Sequence, residues 1–123
     1  MLGSVLSAEK KQINISWQEL FPDQIERVYV IMKDGMTFPY TSHYGNKVYM
    51  SIGWLKKTLK GYKNKNYNIE DIAVVIHNHR MNKNFGQEDY RQYWMLKNYG
   101  FDGQFLMYCH RTKEVYSISL SNQ

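Results

Sequence analysis

The stretch Asp71–Asp89, DIAVVIHNHRMNKNFGQED, decides how the rest of the chain is read. After Asp71 come five consecutive apolar residues, Ile72 to Ile76, rich in Val and Ile and without a turn signal. A short run of that kind fits a strand covered on both faces. It stops at His77-Asn78-His79, passes through a polar loop, and reaches Asp89 where a helical pattern begins. Side chains two apart on a strand project from the same face, so His77 and His79 aim at one point. They stand at the C-terminal end of the strand, where open α/β sheets commonly hold ligands. Asp89 can turn back toward the same point from the start of its helix. Two imidazoles, a carboxylate and one open position for water make a catalytic-type zinc shell. A lone H-x-H is a weak signal. H-x-H at a strand end, with an aspartate ten residues later at a helix start, is considerably more specific.

Working outward, the spacing of Ile52, Leu55, Leu59 and Tyr62 predicts a helix from about Tyr49 to Tyr62, with Lys56, Lys57 and Lys60 off the apolar stripe. A polar loop spans Asn64 to Asn68 before the strand Ile72–His77. Downstream, a helix is expected from near Asp89 to Gly100, burying Tyr90, Tyr93, Trp94, Met95 and Tyr99. Two strands follow, Gln104 to His110 and Val115 to Leu120. Upstream, Ile25 to Lys33 is β-rich and ends at Asp34-Gly35, a strong hairpin turn. The returning strand is Met36 to Ser42, where Pro39 marks an edge or a bulge. Ser16-Trp17-Gln18-Glu19 fits a capping box, opening a short helix that ends near Pro22. Residues 1–12 are a loose polar lead-in, and 13–123 form one domain. The order helix, strand, strand, helix, strand, helix, strand, strand implies a mixed β-sheet with helices packed against it, an α/β or α+β fold.

The 43% hydrophobic and 15% aromatic content fits a folded domain, and 123 residues suffice for one core. No apolar stretch approaches the roughly 18–20 residues of a membrane span. The opening MLGSVLSAEKKQ lacks a basic region ahead of its apolar residues, so no signal peptide and no membrane association are expected. Cys109 is the one cysteine, which rules out an internal disulfide, Cys-rich zinc knuckles and the P-C-x-x-C half of a deaminase site. A cytoplasmic location is expected. The net charge of +5 gathers locally at Lys56, Lys57, Lys60, Lys63 and Lys65. That cluster reads either as a solvated helix face or as a contact for an anionic partner such as nucleic acid.

HNHRMNKNFGQED resembles the JAMM motif of JAB/MPN-domain metalloproteins, H-x-H-P…S-x-x-D, and is most similar to the RadC-like branch. The similarity extends to IERVYVIMKDG, to the helix DYRQYWMLKNYG and to the segments FLMYCH and VYSI, roughly Pro22 to Leu120. The resemblance implies a β-sheet sandwiched by helices, similar to that of the cytidine deaminases. It implies that His77, His79 and Asp89 ligate Zn2+, with a water as the fourth ligand. Glu26 corresponds to the family glutamate, the general base that takes a proton from that water and passes it to the leaving amine.

Three departures carry consequences. Arg80 replaces the proline after the second histidine, placing a positive charge near the metal that reads either as a contact for a substrate carboxylate or phosphate or as a solvent-facing loop arginine. The loop from His79 to Asp89 is one residue shorter than the usual RadC-like spacing. Gly86 occupies the serine position of S-x-x-D, which keeps an acceptable helix N-cap while removing an oxyanion donor. Losing such a donor costs roughly 100- to 1,000-fold in turnover in a well-studied hydrolase. The expected function is a zinc-dependent JAMM-type peptidase or isopeptidase with weakened hydrolysis. The alternative is a RadC-like zinc module with little hydrolysis, acting in a DNA-associated process or through a protein partner.

Overall fold

A computed structural model describes residues 17–41, 50–61 and 65–118. The central strand is β3, Ile72–His79, buried along its length except at His79. Its apolar run leaves no face for solvent, and both faces are covered. On one side it pairs antiparallel with β1, Arg27–Met32, and on the other parallel with β4, Gln104–Cys109. The edges are β2, Thr37–Thr41, and β5, Glu114–Ser117, giving the order β2-β1-β3-β4-β5. Pro39 thus lies on an edge strand, where a missing N–H is tolerated. The β1–β2 turn runs through Gly35, whose φ of 96° favours a residue without a Cβ.

Among the described residues three α-helices accompany the sheet: α1, Trp17–Leu20; α2, Ile52–Gly61; and α3, Gln87–Asn98. A 3₁₀ turn, Ile69–Asp71, feeds β3. Val30, Val75 and Phe105 pack with Leu55 and Leu59 of α2 and with Tyr93 and Leu96 of α3. Alternate positions, among them Val74, Ile76 and Leu106, pack with Phe21 and with Trp17 and Leu20 of α1. The fold is therefore mixed α/β with a five-stranded mixed sheet, its two longer helices on one face and a four-residue helix on the other.

Several boundaries move from their expected places. β3 continues two residues beyond His77, because Asn78 and His79 still pair with Tyr108 and Cys109. α3 starts at Gln87, two residues before Asp89, with Gly86 as its N-cap. Its buried residues are Gln92, Tyr93 and Leu96, while Trp94 and Tyr99, expected in the core, are 41% and 48% exposed. Trp94 falls on the opposite side of the helix from Gln92 and Leu96, and Tyr99 is the C-cap, where the helical repeat ends. The lead-in 1–12, Ser16, Ser42, Tyr49, Tyr62, Lys63, Asn64 and Leu120 lie outside the described residues.

The α3–β4 junction fixes the crossover that carries the site. A Cβ on Gly103 would run into the backbone of Ile72 and Ala73, so this position tolerates only a hydrogen. The close approach seats the start of β4 beside β3. Buried Gln92 donates to the Met50 carbonyl and ties α3 to the chain entering α2.

Candidate metal centre

Strand alternation places Val75, His77 and His79 on the face covered by α3, and the first turn of α3 brings Asp89 over the two rings. His77 Nε2 stands 2.9 Å from Asp89 Oδ1, and His79 Nε2 stands 3.3 Å from Asp89 Oδ2. One ligand atom from each residue lies within 4.8 Å of the other two, close enough to hold a metal ion. All three side chains are at least four-fifths buried.

Each donor is oriented by a further contact. His79 Nδ1 donates to the Asn82 carbonyl at 3.0 Å, which leaves the Nε2 lone pair aimed at the centre. The Gly86 N–H donates to Asp89 Oδ2 at 2.8 Å, so the carboxylate that closes the start of α3 also faces the histidines. The His77 ring packs between Phe85 and Phe105, with centroids 6.1 and 5.6 Å away. Its Nε2 is buried and, despite its nearness to Asp89 Oδ1, lies out of line for a hydrogen bond. It is the one buried side-chain polar atom without a hydrogen-bond partner among the described residues. An unpaired buried nitrogen costs roughly 1–3 kcal/mol, and coordination to a cation would remove that cost. The donor set fits a metal.

The electrostatics agree with the geometry. Burial alone would push the Asp89 carboxyl up, but the His77 and His79 rings outweigh it and hold the group well below the usual carboxylate range. Burial alone would lower His79, but the neighbouring Asp89 carboxylate reverses the sign and raises it. A carboxylate that stays ionised in a buried cleft, facing two imidazole rings, is what a cation between them would complete.

Glu26 lies outside this ligand set but lines the same cleft, of about 790 Å³, together with Arg80, Asn82 and Asn84. Burial raises the Glu26 pKa, against the opposing pull of His79 and His77. Arg80 is exposed, and its Nε donates to Gln24 at 3.2 Å. Gly86 borders the cleft too, but its N–H is taken by Asp89. Glu19 sits in α1, away from the cleft-lining residues.

Two residues of the site went unnoticed in the sequence. Asn82 supplies the carbonyl that orients His79, and a backbone acceptor leaves no trace in residue type. Asn78 did leave a signal: a polar residue amid a strand buried on both faces must have found partners. It is 1% exposed and bonded at both ends of its carboxamide. Cys109 is buried. His110 is half-buried against Phe21 and Tyr108. Of the lysine cluster, Lys65 pairs with Asp34 at 3.2 Å, Lys56 lies over the Tyr99 ring, and Lys57 and Lys60 are exposed. No helix among the described residues is long and apolar enough to cross a membrane. No protein-family model, no curated protein and no solved structure matches this chain.

Proposed function

We propose that the chain is a zinc-dependent amide hydrolase of the JAB/MPN (JAMM) type, nearest the RadC-like branch, cleaving a peptide or isopeptide bond. The observation that carries this reading is the buried, unpartnered His77 Nε2, converging with His79 and Asp89 beside a cleft that also holds Glu26. The order of strands and helices around the site supports it. His77, His79 and Asp89 would hold the metal. When bound, zinc polarises a carbonyl and makes water a nucleophile near neutral pH.

The chain's own residues do the rest. Glu26, its pKa raised by burial, takes a proton from water and returns it to the leaving nitrogen. Arg80 at the cleft wall offers a guanidinium to an anionic group on the substrate. Gly86 has no hydroxyl, and its N–H is committed to Asp89, so this position contributes no donor to a developing oxyanion. A Cβ there would meet Asp89 Oδ2 at 3.8 Å, an ordinary contact, so serine fits without displacing the carboxylate.

The test has two stages. Purified protein is expected to carry zinc that His77→Ala loses. Gly86→Ser is expected to raise hydrolysis of an amide or ubiquitin-like isopeptide substrate by roughly 100-fold or more, and Glu26→Gln to remove it. A chain without zinc overturns the whole reading. Zinc without turnover in either form overturns the hydrolase and leaves a zinc-binding module.

A further inference from the structure

Asn78 lies between the two histidines yet faces away from them, on the side of the sheet covered by α1. Its Oδ1 accepts the Arg27 N–H at 2.8 Å, and its Nδ2 donates to the Ile25 carbonyl at 3.1 Å. The second Nδ2 proton points to His110 Nε2 at 2.9 Å. Both N–H donors and the oxygen of the carboxamide are thus engaged. The peptide groups that it grips are those on either side of Glu26.

The location matters because the backbone ladder ends here. β1 pairs with β3 from Val28, opposite His77, onward, and Ile25 to Arg27 extend past the last pair. From that point the Asn78 side chain replaces the missing rungs. His110 completes the arrangement: it stands edge-on to Phe21 and Tyr108, and its Nε2 is left as a lone pair to receive the amide proton. Burial lowers the His110 pKa, ahead of the opposing charge of Asp23, which favours the neutral ring that this bond requires.

We propose that Asn78, backed by His110, is the positioning residue for Glu26, clamping the peptides on both sides of it and so fixing where its carboxylate stands relative to His77, His79 and Asp89. The proposal rests on the zinc-hydrolase reading, and it separates two jobs within His77-Asn78-His79. The histidines face the metal on one side of the strand. The asparagine, on the other side, holds a residue brought from a distant part of the chain. Removing Asn78 would leave the ligand set intact and free Glu26.

The test uses the full chain and Co2+ as a spectroscopic probe for zinc. In Asn78→Ala, Co2+ affinity is expected to stay within about threefold, unlike the 10- to 100-fold loss typical when a residue orienting a metal ligand is removed. The pH midpoint of the Co2+ absorption spectrum is expected to move to the value found in Glu26→Gln. Hydrogen exchange at the Arg27 amide is expected to quicken by roughly tenfold or more, the equivalent of one lost hydrogen bond. His110→Phe keeps the packing and both bonds to the Glu26 segment, so it should quicken the same exchange by a smaller factor. If Asn78→Ala does not fold, His110→Phe decides on the same readouts. Unaltered exchange with an unmoved pH midpoint overturns the proposal, as does a loss of Co2+ affinity as large as that of His77→Ala. A native chain that binds no Co2+ removes the metal reading itself, an outcome distinct from both.

Discussion

Asp34 and Asp89 organise polar clusters at opposite ends of the β1–β3 pair, and they differ in one decisive respect. Around Asp34 every contact is a hydrogen bond with its own proton: the Met36 N–H at 3.0 Å, the Tyr67 hydroxyl at 2.7 Å and the Lys65 ammonium at 3.2 Å. The cluster is exposed, closed and complete, a latch on the hairpin turn. Around Asp89 two imidazole nitrogens converge in a buried space, and one of them has no partner. A carboxylate surrounded by donors is a structural element. A buried carboxylate facing two imidazole nitrogens, one of them unpaired, stands close enough to them to hold a metal ion.

The contrast can be broken at three levels. The largest effect is expected from Gly103→Ala, which pushes a methyl group into the Ile72–Ala73 backbone at the junction that holds β3 and β4 together. A loss above about 3 kcal/mol in urea denaturation is expected, because a backbone on both sides leaves nothing to yield. Wild-type stability in that variant would mean that the close approach is no constraint. Next comes zinc itself. At a free concentration 100 times its Kd, zinc should stabilise the chain by about 2.7 kcal/mol. That gain is expected to vanish in His77→Ala and to persist in Asp34→Asn, as thermal melts with and without chelator would show. An equal gain in His77→Ala would move the metal elsewhere.

The smallest effect concerns pH. The Met36 N–H, then the Tyr67 hydroxyl, hold the Asp34 pKa below its ordinary 3.8. A carboxyl depressed in the folded state adds stability that is complete above the unfolded value and is lost as pH falls through the folded one. The group is largely solvated, so the loss below pH ~4 should not exceed about 1 kcal/mol. Comparing Asp34→Asn with the native chain in an acid titration measures it, and a difference that grows as pH rises above 5 would contradict the sign.

Much of this was legible in the sequence because it is local. The run Ile72–Ile76 announces a strand covered on both faces, Asp34-Gly35 announces its turn, and Pro39 announces an edge. The pair His77 and His79 points one way because strand alternation admits no other arrangement. What escaped depends on the third dimension. Trp94 looked like core by its helical spacing, but the orientation of α3 is set by Gln92, Tyr93 and Leu96 against the sheet. The helix start at Gln87 depends on Asp89 reaching back to the Gly86 N–H, a contact between two residues that were each read for a different purpose. Asn78 was visible as a buried polar residue, but its partners, 51 and 53 residues away, were not.

The βαβ connectivity also sets an order of assembly. His77, His79 and Asp89 come from one continuous segment, a strand end, its loop and the first helical turn, so they can meet once that single loop closes. Closing about ten residues is among the fastest steps available to a folding chain. Glu26 arrives only with the long-range pairing of β1, whose Arg27 meets Asn78 at a sequence separation of 51. Loop-closure entropy makes that the slower event. Pulse-labelled exchange should therefore find α3 and β4 protected before β1, and simultaneous protection would refute the order. In that order the three candidate ligands stand together before Glu26 reaches them, so the hydrolysis proposed above would wait on β1 to dock.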